Sequence, residues 1–217
     1  MSLLVSVFLN DGIIMASDSR TTFTHKDKTV TYQDGTHKLF VYNDKIAIST
    51  CRNASVNGQT NEFHFNKFKE KYPNESIHKI PKLLKEYYLN LKSDCDVAFF
   101  VVGYDSNNKP VGYRVYTQEK NERLSVSSPT SYWLGDRNFA SRAFGEVYIK
   151  KGTSYLKHED YNLPLNKYSL IDGVKYATFI IETAGKYQQF FDVKNTIGGP
   201  TDVLIIQKSG AYWYSKH

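Results

Sequence analysis

A small hydroxyl side chain stands second in the chain, at a position that becomes the N-terminus once Met1 is removed. Ser2 is small enough for methionine removal to be expected. A free α-amine has a pKa of roughly 7.7–8.0, so near neutral pH it can accept a proton from the hydroxyl group of its own residue. Ser2 is therefore a candidate N-terminal nucleophile. The alternative is that Ser2 is only the usual small second residue or a cloning remnant.

The other chemistry-bearing residues lack the spacing of a metal or cofactor site. The six histidines show no HExxH or other paired spacing, and no GxGxxG or P-loop sequence occurs. The segment Gly198-Gly199-Pro200 is interpreted as a turn rather than a phosphate cradle. We therefore expect neither a metal nor a cofactor. Cys51 and Cys95 form no CxxC and are too few for a disulfide scaffold, so a reduced, cytoplasmic protein is the simpler interpretation.

Size and composition favour a folded, sheet-rich protein. The 217 residues are enough to bury a real core, and 17 tyrosines favour strands and interfaces. The net charge of +6 invites a nucleic-acid hypothesis. However, the lysines are spread along the chain without an Arg-rich run, so we expect no nucleic-acid partner. The apolar run at 3–9 is short and ends at Asn10-Asp11-Gly12, which predicts a strand rather than a signal peptide, and no stretch is long enough to span a membrane.

Apolar runs separated by turn residues predict most of the strands. Asn10-Asp11-Gly12 and Asn43-Asp44 each lie between two such runs, which predicts two hairpins. Residues 21–36 are polar and irregular, with one short strand, and a further short strand pair is expected after the middle of the chain. The predicted strands are 3–9, 13–17, 29–32, 38–42, 45–50, 97–104, 111–117, 124–126, 132–134, 202–207 and 211–214.

Apolar residues at three- and four-residue steps predict two helices at 59–72 and 77–91. A second helical pair is predicted at 138–150 and after Ser169, which is a suitable N-cap. Strands and helices therefore come in blocks, which favours an α+β fold with antiparallel sheets and helical layers over a doubly wound parallel sheet. No linker or low-complexity tract is present, so we expect one domain over 1–217.

The chain resembles a proteasome β subunit in the order and spacing of several short segments. Ser2 to Val7 and Asp11 to Arg20 resemble the opening of that family, in which a mature N-terminal Thr begins the first strand and an Asp-Gly turn and an Ala-x-Asp-Ser-Arg segment follow. The spacing from Ser2 to Asp18 equals the family's spacing from nucleophile to conserved Asp. The other matching segments are Lys38-Leu39-Phe40, Asn43 to Ile46, Thr50 to Ala54, Gly103 to Asp105, Leu134 to Asp136 and Gly198 to Asp202.

Two features relate the chain to particular branches of this family. Thr50-Cys51-Arg52-Asn53 resembles a variant of the Thr-Ala-Gly-Asn seen in the bacterial ancestral β-subunit branch, called Anbu. α-type subunits carry a helix before the first strand, whereas here the strand begins at residue 2 or 3, so the resemblance is to the catalytic β type. It implies a four-layer αββα sandwich of two antiparallel sheets flanked by helices, the fold of the N-terminal-nucleophile hydrolases. It also implies a homo-oligomeric ring or spiral and allows an ATP-dependent unfoldase as partner.

The resemblance implies a role for five residues. Ser2 would be the nucleophile, and Lys38 would lie beside it, where an ammonium group favours the alkoxide and keeps the α-amine neutral. Asp18 would pair with Lys38 and fix its position. Arg52 falls where the family has the glycine whose backbone N–H forms the oxyanion hole, and Asp136 would hydrogen-bond the α-amine. Taken singly, Lys38 could instead be a solvated strand lysine, Asp18 a turn carboxylate and Asp136 an exposed turn residue.

Two departures from the family pattern bear on activity. At Arg52 a side chain crowds the oxyanion position, and the backbone angle that a glycine adopts there is less accessible to it. Arg52 could instead bind an acidic group of a substrate. The family's supporting Asp and Ser shortly before Gly198 have no clear match, because residues 194–196 are Lys, Asn and Thr, and Asp192 is the remaining candidate.

Three functions therefore stay open. The first is an N-terminal-Ser amidohydrolase, a proteasome-like endopeptidase in which Ser2 forms an acyl-enzyme with a peptide or protein substrate. The second is a catalytically silent proteasome-like scaffold or binding protein, which Arg52 and the missing supporting residues favour. The third is a small-molecule acylase on the same fold.

Overall fold

Two five-stranded sheets account for most of the strands in the computed structural model, which describes residues 2–136, 148–157, 163–190 and 194–217. The first sheet has the strand order β12-β1-β2-β15-β16, and the second has the order β11-β10-β9-β6-β5. The strands are β1 (Leu3–Phe8), β2 (Ile13–Ser17), β3 (Thr21–Thr24), β4 (Val30–Gln33), β5 (Leu39–Asn43), β6 (Ile46–Arg52), β7 (Ser55–Val56), β8 (Gln59–Thr60), β9 (Val97–Tyr104), β10 (Pro110–Tyr116), β11 (Glu122–Arg123), β12 (Thr130–Gly135), β13 (Tyr148–Lys151), β14 (Ser154–Lys157), β15 (Asp202–Gln207) and β16 (Gly210–Ser215).

Three α-helices lie within the described residues: α1 (Asn61–Lys71), α2 (Ile80–Leu91) and α3 (Leu170–Gln188). Thr60 caps α1 through a bond from the backbone N–H of Phe63. A full capping box between Ser169 and Asp172 begins α3, as the sequence predicts for Ser169. None of these helices is both long and apolar enough to cross a membrane.

Alternation along β1 distributes its side chains between two core clusters. Leu3, Val5 and Val7 pack with buried residues of α3, whereas Leu4 and Phe8 pack with buried residues of the second sheet. Every side chain of β1 and β2 is buried, which explains why their sequences read as continuous apolar runs. A third cluster joins the second sheet to α1 and α2. The strand that begins immediately after Ser2 therefore lies at the centre of the packing.

The predicted mixture of antiparallel sheets and helices is confirmed for the described residues. All strand pairs in these sheets are antiparallel, including the two hairpins predicted at Asn10-Asp11-Gly12 and Asn43-Asp44. The helices predicted at 59–72 and 77–91 are present as α1 and α2 with shorter bounds.

Three local predictions need correction. The expected helix at 138–150 lies outside the described residues up to 147, and Tyr148–Lys151 forms β13, because Gly152 at φ +64° turns the chain back into β14. The expected pairing of 124–126 with 132–134 is wrong: β12 pairs with β1 instead, a register that buries Leu134 between the sheets. Residues 21–36 contain a hairpin, β3–β4, where a single strand is predicted.

Candidate active site

Ser2 is buried at the start of β1 and is held from two directions. The backbone N–H of Leu3 donates to Oδ1 of Asp18 over 3.0 Å. The carbonyl of Ser2 accepts from the backbone N–H of Asp136 over 2.7 Å. Since these contacts come from different strands of the first sheet, the backbone around Ser2 is fixed by the sheet itself.

Asp18 follows β2 directly, and its side chain is fully buried. Its carboxylate accepts hydrogen bonds from the backbone N–H groups of Leu3, Arg20 and Gly198, over 3.0, 3.2 and 3.4 Å. Lys38 adds a fourth donor through Nζ over 2.9 Å. Burial raises the pKa of Asp18, while Lys38 and the backbone donors act in the opposite direction. A buried carboxylate with four donors is well suited to hold a cation in one place.

Lys38 precedes β5, and its side chain is almost completely buried. Besides Asp18, its ammonium group donates to the carbonyl oxygen of Arg20 over 2.6 Å. Burial lowers the pKa of Lys38, against the attraction of Asp18. This environment does not correspond to a solvated strand lysine. The structure thus brings Lys38 and Asp18 together as an ion pair.

Arg52 ends β6 in a left-handed backbone conformation, with φ +74°. Its guanidinium group donates to Asp96 over 2.6 Å and to Glu119 over 2.7 Å, and it lies 5.1 Å from the ring centroid of Tyr116. Arg52 therefore adopts the kind of backbone angle that favours glycine, as the sequence comparison implies for this position. Its cation is already paired with two carboxylates, which leaves little charge for an acidic substrate group.

A cavity of about 350 Å³ joins several of these residues. Ser2, Lys38 and Arg52 all line it, and Asp18 lies behind Lys38. The remaining lining residues are mostly polar: Arg20, Thr21, Thr22, Gln33, Gly35, Thr36, His37, Thr50, Cys51, Asn53, Ala54, Thr60, Asn61 and Glu62. Cys51 is fully buried, and burial raises the pKa of its thiol to about 12. The hydroxyl of Ser2 is thus the nucleophile candidate of this cavity, and the thiol is not.

Asp136 lies on the opposite side of Ser2 from Asp18, immediately after β12, and is half-buried. The preceding Gly135 has φ +97°, and a Cβ atom there would lie 1.9 Å from the carbonyl oxygen of Ser2. The carboxylate of Asp136 accepts from Nε2 of Gln188 over 2.8 Å and lies 3.5 Å from Oγ1 of Thr196. The predicted bond from Asp136 to the α-amine of Ser2 stays a prediction.

Two residues of this side were not among the sequence candidates. Thr196 belongs to the stretch before Gly198, where the resemblance placed supporting residues without a clear match, so its hydroxyl was a usable signal. Gln188 gave no signal, since a single amide at the end of a helix matches no catalytic motif. Asp192 lies outside the described residues. Among the residues that the structure describes, no group of three or more potential ligands could hold a metal ion.

The arrangement of sheets and helices is similar to that of solved Anbu structures. No protein-family model and no curated protein sequence matches the chain significantly. An Anbu (Gly-1) mutant from Hyphomicrobium sp. strain MC1 matches with a TM-score of 0.71 and 12% identity, over 99% of this chain and 85% of that one. The helical assembly of the Anbu complex from Pseudomonas aeruginosa matches with a TM-score of 0.69 and 17% identity, over 98% and 86%.

A third Anbu (ancestral beta-subunit) structure, from Yersinia bercovieri, has a TM-score of 0.67 and 16% identity, over 98% of this chain and 87% of its own. At identities this low, the likeness shows a shared fold and leaves activity to be argued from the residues of this chain. The predicted resemblance to the Anbu branch is supported at the level of the fold.

Proposed function

We propose that this chain is an N-terminal-serine amidohydrolase of the proteasome-like N-terminal-nucleophile class, acting on peptides or proteins. One observation carries the proposal: Ser2 shares a cavity with Lys38, whose ammonium group is buried and bonded to Asp18. Burying an ion pair beside a hydroxyl group is costly, and perturbed, buried charges cluster at catalytic sites. The alternatives, a solvated strand lysine for Lys38 and a turn carboxylate for Asp18, do not account for the burial of this ion pair.

The chemistry begins when Met1 is removed and Ser2 carries a free α-amine. This amine accepts the proton of the Ser2 hydroxyl as the oxygen attacks the carbonyl carbon of an amide. The positive charge of Lys38 favours the alkoxide and keeps the α-amine neutral before attack. Collapse of the tetrahedral intermediate breaks the C–N bond, the proton passes to the leaving amine, and an ester on Ser2 remains. Water then hydrolyses this ester and restores the hydroxyl.

The backbone N–H of Arg52 is the candidate donor to the oxyanion. Thr50 donates through its backbone N–H to the carbonyl of Lys38 on the neighbouring strand. N–H groups two residues apart on a strand point to the same side of that strand. The N–H of Arg52 therefore points, like that of Thr50, towards the side of β6 on which β5 lies, but past the first residue of β5. The left-handed φ of Arg52 is an outlier for a residue with a side chain, and such outliers concentrate at functional sites.

A silent scaffold is the second candidate, and Arg52 is the observation that favours it. A side chain at this position narrows the approach to Ser2 even with its guanidinium group held by Asp96 and Glu119. The third candidate is a small-molecule acylase, which the cavity of about 350 Å³ is large enough to serve. Turnover of peptides of different lengths, compared with small acyl amides, separates peptidase from acylase.

The proposal extends to the assembly of the chain. The three core clusters agree with one domain built as a four-layer αββα sandwich, with α3 outside the first sheet and α1 and α2 outside the second. An Anbu neighbour is described as a helical assembly, which supports a homo-oligomeric ring or spiral. The proposal also allows an ATP-dependent unfoldase as partner. Free Cys51 and Cys95 are compatible with a reducing, cytoplasmic setting.

Intact-mass measurement before and after incubation with a β-lactone tests the proposal. We expect a mass without Met1, one β-lactone adduct per chain and a peptide map that places the adduct on Ser2. Ser2→Ala abolishes the adduct. Ser6→Ala is the matched control, because Ser6 is also a buried serine of β1 and lies four residues further along.

Two results contradict the proposed enzyme. One is a chain that keeps Met1 in its native preparation, since the amide nitrogen of a peptide bond cannot act as the base. The other is a chain with a free Ser2 that gains no β-lactone adduct, with the Ser6→Ala variant gaining none either. Either result favours the silent scaffold.

A further inference from the structure

A single buried amide connects three segments around Ser2. Gln188 is the last residue of α3, and its side chain is buried. Its Oε1 atom accepts hydrogen bonds from the backbone N–H groups of Thr196 and Ile197, over 2.9 and 3.0 Å. Its Nε2 atom donates to Oδ2 of Asp136 over 2.8 Å and to Oγ1 of Thr196 over 3.3 Å. Both halves of the amide are therefore used.

The orientation of this amide is determined by its neighbours. Two backbone N–H groups can only donate, so the oxygen of Gln188 must face them, and a carboxylate accepts, so the nitrogen faces Asp136. A carboxylate at position 188 could hold the loop at 196–197 but could not donate to Asp136. An apolar side chain could do neither. The site thus distinguishes an amide from its isosteres.

The contacts of Gln188 lead to Ser2 by two short routes. Asp136, whose carboxylate it binds, donates its own backbone N–H to the carbonyl of Ser2 over 2.7 Å. Ile197, whose backbone it holds, precedes Gly198, which donates to the carboxylate of Asp18 over 3.4 Å. One side chain therefore contacts groups on both sides of the proposed nucleophile, although it does not line the cavity.

We infer that Gln188 is a positioning residue for Ser2, which acts by holding Asp136 and the 196–198 loop through the two ends of its amide. The expected effect on reaction rate rests on the proposed function. The expected effect on the position of Asp136 and the 196–198 loop rests on the hydrogen bonds alone. Gln188 is not a lining residue of the cavity that Ser2 lines, so its effect is expected in the geometry of Ser2. A displacement of about 1 Å at a reacting group costs about 10²-fold in rate, which makes such a residue measurable.

Gln188→Glu is the decisive variant, and Gln189→Glu is its matched control. Gln189 is the exposed C-cap residue of α3, so its replacement makes the same charge change one residue away from the buried site. In Gln188→Glu two carboxyl groups share one site, and such a pair retains a proton to a higher pH than either group alone. Asp136 is the titratable group that binds the side chain at position 188 directly.

The first measurement is the rate of β-lactone adduct formation from pH 5 to pH 8. We expect Gln188→Glu to react about tenfold or more slowly than Gln189→Glu at pH 8, where the introduced carboxylate cannot donate to Asp136. The ratio returns towards one at pH 5, where the shared proton restores a donor to Asp136. Because paired buried carboxylates also destabilise the fold as pH rises, the rates are compared only where chemical denaturation shows both variants fully folded. Equal rates for the two variants at pH 8 would overturn the inference.

The second measurement is backbone amide exchange, which needs no activity. In Gln188→Glu at pH 7.5, the N–H of Asp136 exchanges about tenfold or more faster than in Gln189→Glu, whereas the N–H groups of Thr196 and Ile197 keep their protection. In Gln188→Met all three lose protection, and the amide of Thr50 serves as reference in every variant. Unchanged exchange at Asp136 would overturn the inference. If the wild-type chain forms no β-lactone adduct, the proposed function fails. The amide-exchange measurement still decides whether Gln188 positions Asp136.

Discussion

Ser2 lies between two sides built on different principles. On the charged side, Asp18 and Lys38 form a buried ion pair with backbone donors around it. On the amide side, Asp136, Gln188 and Thr196 are joined by hydrogen bonds to a side-chain amide. In the proposed enzyme the charged side would supply electrostatics next to Ser2, and the amide side would supply position. A defect on the first side is therefore expected to change the chemistry, and a defect on the second the geometry.

The two sides also differ in how the chain reaches them. Asp18 and Lys38 are only 20 residues apart, but Asp18 follows β2 of the first sheet and Lys38 precedes β5 of the second. Asp136 and Gln188 are 52 residues apart and meet only through tertiary packing. The charged side thus requires the two sheets to pack against each other, whereas the amide side requires α3 to dock correctly on the first sheet. We expect the charged side to tolerate loss of α3 packing better than the amide side.

The largest effect is expected for Lys38→Met. The variant leaves Asp18 buried without its cation, which destabilises the fold by about 3–5 kcal/mol. Without the ammonium group, the rate of β-lactone adduct formation falls by about 10²–10³-fold. Chemical denaturation and intact-mass kinetics measure the two quantities. Lys45→Met is the matched control, because Lys45 is a half-buried lysine whose ammonium group binds Asn108 and no carboxylate among the bonds described.

The double variant Asp18→Asn, Lys38→Met separates stability from chemistry. Removing both charges relieves the unpaired carboxylate, so we expect most of the lost stability to return while adduct formation stays as slow as in the single variant. Recovery of the reaction together with stability would mean that Lys38 is only a structural ion-pair partner, and the charged side would lose its catalytic role.

Gly135→Ala tests the amide side by a backbone collision. A Cβ atom there would lie 1.9 Å from the carbonyl oxygen of Ser2, and φ is +97°. We expect the variant to be destabilised by about 4 kcal/mol or more, measured by chemical denaturation. Gly152→Ala is the matched control: Gly152 also has positive φ, at +64°, but nothing lies within 4 Å of its Cβ position. It should cost about 1–2 kcal/mol.

The Gly135→Ala variant could accumulate only as unfolded protein while Gly152→Ala folds. That outcome would also support the prediction, because it shows a larger loss of stability at Gly135. Equal costs at the two positions would instead show that β12 can move away from β1 without penalty. In that case the contact between Asp136 and the Ser2 carbonyl would carry little weight in positioning the nucleophile.

The sequence was informative where function depends on nearby strands. The turn at Asn10-Asp11-Gly12 predicts the β1–β2 hairpin, and that hairpin alone places Asp18 beside the start of β1. Apolar periodicity likewise predicts α1 and α2, because each buries one face on the second sheet. The position of Asp18 could thus be predicted from short-range order, whereas its ion pair with Lys38 was predicted through the resemblance.

The sequence was less informative where tertiary contacts decide. Periodicity predicts the helix after Ser169 but not that its last buried residue, Gln188, meets the end of β12. Tyr148 to Lys150 also read as the end of a helix, although aromatic and β-branched residues before Gly152 suit the hairpin observed there. The sequence predicts a strand pair at 124–126 and 132–134. In the structure β12 pairs with β1 instead, and this pairing buries Leu134 between the sheets.

Arg52 offers a smaller effect that sharpens the account of the oxyanion position. Arg52→Gly and Arg52→Ala both remove the bonds to Asp96 and Glu119, and they differ only in how well they tolerate φ +74°. We expect the glycine variant to be more stable than the alanine variant by about 1 kcal/mol. Paired denaturation curves measure the difference. Equal stability, or a more stable alanine variant, would show that the chain relaxes out of the left-handed conformation and that no fixed backbone geometry is kept there.

The smallest effect is expected for Cys51, which lies between the two sides. Its Sγ atom is 3.6 Å from the Cβ position of Gly135, and it lines the same cavity as Lys38. Because burial raises the pKa of the thiol to about 12, almost none of it is thiolate at pH 8. Iodoacetamide at pH 8 should therefore leave the native mass unchanged, while the denatured chain takes up two adducts, at Cys51 and Cys95. A native adduct at Cys51, formed as fast as the β-lactone adduct at Ser2, would mean that the cavity activates the thiol. The Ser2 hydroxyl would then no longer be the only nucleophile proposed for this cavity, and its assignment as the reacting group would fail.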